Sequence, residues 1–269
     1  MIPRAQITAW RVYAPWSLDA QVEQDLVISR ALVELFSDAT IRDKLAFRGG
    51  TALNKIVLPK PERYSDDIDL VQVEAGPMGP VMTAIRHRLD PWLGEPQWKQ
   101  GHGRVTFYYR FNTEHEPVVV SRLKVEVNTR EHFSVLGIAT RSYSVESSWF
   151  RGSAEIPSYH LDELLGTKFR ALYQRKKGRD LFDLWIAGQR TRFDSRRVVD
   201  CFIRYLDHDA RRISRAEYEE NLRNKLADRE FAADLTPLLA NGVEWDCKAA
   251  GEYVLDTLVA HLPGDAWKG

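Results

Sequence analysis

Apolar positions over residues 22–36 (Val22, Leu26, Ile28, Ala31, Leu32, Leu35 and Phe36) recur near a helical period and predict a helix. A short apolar run, Leu45-Ala46-Phe47, ends in Gly49-Gly50 and reads as a strand entering a turn, after which a helical pattern resumes over 51–57. Ile68-Asp69-Leu70-Val71 and residues 104–111 read as strands. Residues 118–128 are the clearest strand, with Val118, Val120, Leu123, Val125 and Val127 interrupted by polar residues. Beyond about residue 158 the pattern turns helical. Leu161, Leu164, Leu165, Lys168, Phe169, Leu172 and Tyr173 follow i, i+3, i+4, i+7 spacing. Asp162 and Glu163 fall in the expected first turn and Arg175, Lys176 and Lys177 in the last, with Gly178 as the stop. Further helices are expected over 180–187, 196–206, 215–225 and 249–262. The pattern thus predicts a mixed α/β part, residues 1–158, and a helical C-terminal part, residues 159–269, joined at Ile156-Pro157-Ser158.

Composition narrows the function classes. With 269 residues and 44% hydrophobic content the chain can bury a sizeable core. Lys and Arg total 38 against 38 Asp and Glu, so bulk charge favours neither nucleic acid nor membrane. Locally the balance differs: residues 161–215 hold fourteen Lys/Arg against eight Asp/Glu. No apolar run approaches the ~18 residues of a membrane span. The first 20 residues carry Pro3, Arg4, Arg11 and Pro15 and no apolar stretch, unlike a secretory signal, so a cytoplasmic protein is expected. Cys201 and Cys247 have no Cys or His at ligand spacing, which argues against zinc or a disulfide framework. The histidines His87, His102, His115, His132 and His160 are scattered and receive no catalytic role.

Two segments carry candidate chemistry: Phe47-Arg48-Gly49-Gly50-Thr51 and Tyr64-Ser65-Asp66-Asp67-Ile68-Asp69-Leu70. On a strand, Asp67 and Asp69 point to one face and Ile68 and Leu70 to the other. Two carboxylates so close repel unless a cation lies between them, and hard oxygen ligands select Mg²⁺ or Mn²⁺. Glu126, in Lys124-Val125-Glu126-Val127-Asn128, alternates correctly to add a third carboxylate to a metal site. Gly49-Gly50-Thr51 between a strand and a helix lets backbone N–H groups approach a phosphate, with Thr51 as a further donor or a helix cap. The spacing is neither a Walker A loop nor a dinucleotide fingerprint. A third segment places Lys168 among apolar helix positions, which is costly unless an anion meets it. A triphosphate is one such anion. Arg179, Asp180 and Asp183 open the next helix, with the two carboxylates one turn apart.

Together these segments resemble the AbiEii/AbiGii toxin family of the nucleotidyltransferase superfamily, over roughly residues 20–190. The superfamily's Gly-Gly/Ser motif followed by Asp-x-Asp is matched by Gly49-Gly50 and Asp67-Ile68-Asp69, and the family's Ser-Asp/Glu-Asp-Ile-Asp variant by Ser65 to Asp69. The resemblance implies an α/β nucleotidyltransferase fold, a small mixed sheet followed by a helical C-terminal domain. It implies metal on Asp67 and Asp69 and Ser65 against the nucleotide. Glu126 matches the third carboxylate, Lys168 the helical lysine, and Arg179, Asp180 and Asp183 the segment that follows it. It further implies a toxin of a type IV toxin–antitoxin system with a separate antitoxin as partner. Some members look like tRNA nucleotidyltransferases and others are described as GTP-binding. The expected reaction is Mg²⁺-dependent transfer from a bound NTP, on Gly49, Gly50, Thr51, Ser65, Lys168 and Asp183, to an acceptor, most plausibly the tRNA 3′ end. Asp67, Asp69, Glu126, Lys168 and Asp180 are the expected catalytic residues.

Each position also has an ordinary explanation. Asp67 and Asp69 suit a solvated strand edge, Glu126 an alternating surface strand, and Lys168 a snorkelling helix residue. Asp180 suits a helix cap, and Arg175-Lys176-Lys177 a cationic helix end or an RNA contact. Alternative functions are nucleotidylation of a protein or small molecule, a metal-dependent nuclease, and an idle binding module.

Overall fold

Alternation of buried and wetter positions builds one mixed sheet with an apolar and a polar face. The computed structural model describes residues 2–114 and 118–269; His115 lies outside them. The chain divides into two compact units, Met1–Tyr159 and His160–Gly269.

The first unit opens with α1 (Arg4–Trp10), α2 (Asp19–Phe36) and α3 (Ala39–Lys44). Strand β1 (Leu45–Arg48) leads into α4 (Gly49–Ala52), which continues as a π-helical turn over Leu53–Val57. Then follow β2 (Asp67–Gln72), α5 (Gly79–Leu93), β3 (Gln97–Gly101), β4 (Arg104–Asn112), β5 (Val120–Asn128), β6 (Ile138–Glu146) and β7 (Arg151–Tyr159). The strand order is β3-β4-β5-β2-β1-β7-β6. β2 runs parallel to β5 and β1 parallel to β7, while the other neighbours are antiparallel. Phe47, Ile68, Leu70, Val105, Phe107, Leu123, Val125 and Val127 are fully or almost fully buried on one face, and α2 lies across β2, β5, β6 and β7. Buried apolar area of this size is the main stabilising contribution, roughly 25 cal/mol per Å².

Buried polar groups of α2 are satisfied within this unit. Asp25 accepts from Trp10 Nε1 at 2.8 Å and Trp16 Nε1 at 3.2 Å, and pairs with Lys55 Nζ at 2.6 Å. Lys55 lies in the π-helical turn beyond the glycine pair. Burial opposes its charge, but Asp25 and Tyr143 together outweigh that cost and its pKa is raised. The pair thus ties the turn after Gly49-Gly50 to the central helix.

The second unit is helical: α6 (Leu161–Gln174), α7 (Gly178–Arg190), α8 (Ser195–His208), α9 (Arg215–Leu226), α10 (Arg229–Ala233) and α11 (Cys247–Thr257). Phe169 stacks on Tyr218 with ring centroids 4.3 Å apart and meets Phe202 at 4.8 Å.

Three local expectations change. Ile156-Pro157-Ser158 is not a linker but the end of β7; Pro157 stands opposite Thr140 of β6. Arg175-Lys176-Lys177 does not finish α6, which stops at Gln174, and Gly178 begins α7 instead of ending its predecessor. A Cβ on Gly178 would stand 2.4 Å from the Phe231 carbonyl oxygen, so this glycine serves a close approach to α10. Strands β3 and β6 and helix α5 are additional elements. The alternating positions of β6 are mostly polar, and α5 contains Pro80 and Pro91, so neither showed an apolar period.

Candidate active site on the polar face of the sheet

Strand pairing decides which side chains share the polar face. Asp67 and Asp69 stand on β2 with Ile68 and Leu70 turned into the core. The parallel register sets Asp67 opposite Lys124 and Asp69 opposite Glu126 on β5. On the other side Asp69 faces Arg48 of β1. Glu126 is in turn opposite Thr106 of β4, whose hydroxyl donates to Glu126 Oε2 at 3.3 Å. The structure therefore brings Asp67, Asp69 and Glu126 onto adjacent strands of one face.

Two cations hold this group. Lys124 Nζ is 3.2 Å from Asp67 Oδ2 and 3.5 Å from Glu126 Oε2. Arg48 is ion-paired with Glu131 and, despite burial, is driven to a still higher pKa by Glu131, Tyr159 and Asp69. Asp67 is pushed up to about 6, first by burial and then by Asp66, with Lys124 pulling the other way and Asp69 adding repulsion. Neither Lys124 nor Arg48 was assigned a role from sequence. The signal was present for Lys124, which precedes Glu126 by two residues and so shares its face.

The glycine pair is built against the second aspartate. Gly49 has φ +83°, and a Cβ there would lie 2.6 Å from Asp69 Oδ2. Only glycine combines that backbone with that approach. Gly50 is buried, and its carbonyl accepts from Asn54 Nδ2 at 2.9 Å. Thr51 is buried; its hydroxyl donates to the Asp67 carbonyl at 2.5 Å and stands 2.8 Å from Ser65 Oγ. Thr51 is thus committed to fastening the start of β2 and neither caps a helix nor faces outward. Ser65 is half-buried beside it.

The oxygen-only donors at Asp67 and Asp69 suit a hard divalent cation; burial and the Asp66 charge raise Asp67, and the mutual repulsion of the pair adds to them. Among the described residues, no three His, Cys, Asp or Glu side chains converge as a ready metal cage. Glu126 is instead engaged by Lys124 and Thr106.

In the second unit, Lys168 is 6% exposed and Asp180 and Asp183 are fully buried. Lys168 Nζ lies 3.3 Å from Asp180 Oδ1 and 2.7 Å from Asp183 Oδ2. Arg175 closes on Asp180 with two bonds, Nε to Oδ2 at 2.6 Å and Nη2 to Oδ1 at 2.8 Å. The anions required by a buried lysine are therefore these two carboxylates. Asp180 is not a cap: the N-cap of α7 is Lys177, and Asp180 sits in the first turn. The neighbouring cations are also engaged, Lys176 with Asp228 and Lys177 with Asp234 at 3.1 Å.

The family profile described as nucleotidyl transferase AbiEii toxin, type IV toxin–antitoxin system, matches residues 30–252. The chain belongs to this family. It is accordingly a nucleotidyltransferase toxin of a type IV toxin–antitoxin system. Its fold is similar to that of MenT4, a nucleotidyltransferase toxin from Mycobacterium tuberculosis H37Rv, with a TM-score of 0.71 at 20% identity, over 98% of this chain and 92% of that one. A putative nucleotidyltransferase from H. pylori is similar with a TM-score of 0.52 at 16% identity, over 89% of this chain and 93% of that one. At these identities the likeness concerns the fold. No curated protein matches the sequence. Among the described residues, no helix of this AbiEii-family chain is long and apolar enough to cross a membrane.

Proposed function

We propose that this AbiEii-family toxin transfers a nucleotide from an NTP to the 3′ hydroxyl of an RNA, in first place the tRNA 3′ end, with Mg²⁺ or Mn²⁺. The observation that carries the reading is Asp67 and Asp69 side by side on β2, with Glu126 in register and Gly49 cleared for Asp69. Asp67 and Asp69 would hold the cation, with Glu126 joining them by exchanging its Lys124 and Thr106 contacts; the cation would supply charge neutralisation at the phosphate and Lewis acidity. Gly49 and Gly50 admit the phosphates to the backbone, and Thr51 and Ser65 fix the start of β2 beneath them. The acceptor 3′ oxygen forms a bond to the α-phosphorus, the bond to the bridging oxygen breaks, and pyrophosphate leaves. The hydroxyl proton passes to the Glu126 carboxylate. Lys168 is assigned to the triphosphate: an ammonium has three donors, and Asp180 and Asp183 orient it through two of them. Asp183 and Asp180 act as its positioning residues. Catalysis is then mainly orientation and electrostatics.

A toxin of a toxin–antitoxin system implies a cognate antitoxin as partner. The cytoplasm, where NTPs and tRNA occur, is the proposed site of action.

Incubation with each labelled NTP, Mg²⁺ and total RNA tests the reading. Label is expected in tRNA and lost in Asp67→Ala with the fold intact by circular dichroism. Label in a protein or small molecule replaces the RNA acceptor. RNA shortening without NTP replaces transfer by hydrolysis. Full activity and toxicity in Asp67→Ala overturn the site.

A further inference from the structure

The polar face extends beyond the carboxylates. Asp69 continues through Glu126 and Thr106 to Lys99 of β3, and Asp67 through Lys124 and Tyr108 to Gln97. Two residues further along β5, Arg122 stands opposite Arg110 of β4. Lys99, Arg110 and Arg122 are exposed. Among the described residues none of the three meets a carboxylate at ion-pair distance. Two of the three lie against one ring: Arg122 Cζ is 4.9 Å and Lys99 Nζ 5.5 Å from the centroid of half-buried Tyr108.

At the same end of the sheet a groove of about 620 Å³ is lined by Gln24, Tyr64, Asp66, Arg110, Ser121 and Arg122, with Val120. Its floor is rigid. Gln24, 2% exposed, accepts from Ser121 Oγ at 2.7 Å and donates to the Arg122 carbonyl at 3.1 Å. The volume is that of a nucleotide-sized site. Its placement is directional. Gly49 and Arg48 adjoin Asp69, whereas Arg122 lies beyond Lys124 in the opposite sense, about 7 Å further along the strand. Asp67 therefore stands between the glycine pair and the groove.

We propose that this Arg110–Arg122 groove with the Tyr108 platform binds the single-stranded acceptor RNA, phosphates on the guanidiniums and a base on the ring, and delivers its 3′ end to Asp67. Exposed cations beside a half-buried aromatic ring match a phosphodiester with a stacking base. The proposal rests on RNA as the acceptor, and it locates the RNA backbone on the sheet.

Fluorescence anisotropy with a 5′-labelled single-stranded RNA bearing a free 3′ hydroxyl tests it. Arg110→Ala/Arg122→Ala is expected to weaken binding about tenfold or more and to flatten the log–log salt slope by about 1.4, the loss of two single-strand phosphate contacts. Tyr108→Leu is expected to weaken binding about fivefold or more with the slope unchanged, because stacking releases no counterions. Binding of a fluorescent GTP or ATP analogue and the melting curve stay as in wild type. Unchanged RNA affinity in the double variant overturns the groove while Asp67-dependent labelling of RNA still stands. Absence of RNA binding and of RNA labelling in wild type overturns both readings. Arginine-dependent binding to phosphatidylglycerol vesicles without RNA binding also overturns it.

Discussion

Lys124 Nζ stands 3.2 Å from Asp67 Oδ2, directly across the β2–β5 pairing. Burial works against the lysine's charge, yet Asp67, Asp69 and Glu126 outweigh it and raise its pKa. The same contact is the main restraint on Asp67, which burial, Asp66 and Asp69 push up to about 6. Lys124→Met removes that restraint, so Asp67 is expected to titrate above the wild-type value. Only the ionised carboxylate holds a cation, so the acid limb of the activity profile should move to higher pH. The stability sign is separate. The folded pKa exceeds the unfolded one, so the native state retains the proton longer, and stability falls as pH rises from the ordinary carboxylate range to about 6. Carboxyl ¹³C titration by NMR with the pH–rate profile checks both; a variant titrating at or below the wild-type value refutes the coupling.

Gly49→Ala tests the approach of the glycine pair to Asp69. The alanine must adopt φ +83° and place Cβ 2.6 Å from Asp69 Oδ2. The left-handed backbone alone costs about 1–2 kcal/mol. Displacing the carboxylate by a fraction of an ångström to an ångström should cost about a hundredfold in transfer rate. Urea midpoints and single-turnover rates are the measurements. A variant with the wild-type rate would show that Asp69 needs no clearance.

Thr51→Val keeps the volume and deletes the hydroxyl bonded to the Asp67 carbonyl and Ser65. Losing a buried hydrogen bond while leaving its acceptor in place costs about 1–3 kcal/mol. Because the bonded carbonyl belongs to Asp67, kcat is expected to fall more than KM rises. Rescue by Thr51→Ser, which restores the donor, separates this from a packing defect. A wild-type kcat in Thr51→Val would show that the bond to the Asp67 carbonyl does not position the site.

How far the sequence revealed this arrangement depends on the range of each cause. The alternation around Asp67 and Asp69 is local, and so is the glycine pair, so both were legible. The place of Glu126 opposite Asp69 follows from alternation plus pairing, and only the alternation was visible. Lys124 shared that signal and went unassigned because a lone lysine on a strand is ordinary. Arg48 was beyond reach, since its partner Glu131 lies 83 residues away. The end of α6 was misread for a related reason. Arg175 scores as a good helix residue, but its bidentate pairing with Asp180 accompanies an extended backbone at that position. Pro157 misled in the opposite way, as a breaker that the β6–β7 pairing accommodates.

Lys168→Met tests the second unit. The substitution removes an ammonium 2.7 Å from Asp183 and 3.3 Å from Asp180, both fully buried. Leaving a buried charge uncompensated costs about 3–5 kcal/mol. The two carboxylates are not equivalent: Asp180 also holds the bidentate Arg175, so neutralising Asp180 would weaken that pairing as well. Asp183→Asn in the Lys168→Met background should therefore recover much of the stability, and Asp180→Asn less. Denaturant midpoints of the wild type and the single and double variants give the coupling directly. The transfer rate then separates two roles. If Lys168 only neutralises its carboxylates, the recovered double variant is active; if it also meets the triphosphate, stability returns and the rate does not. An unaltered midpoint in Lys168→Met would refute the buried triad.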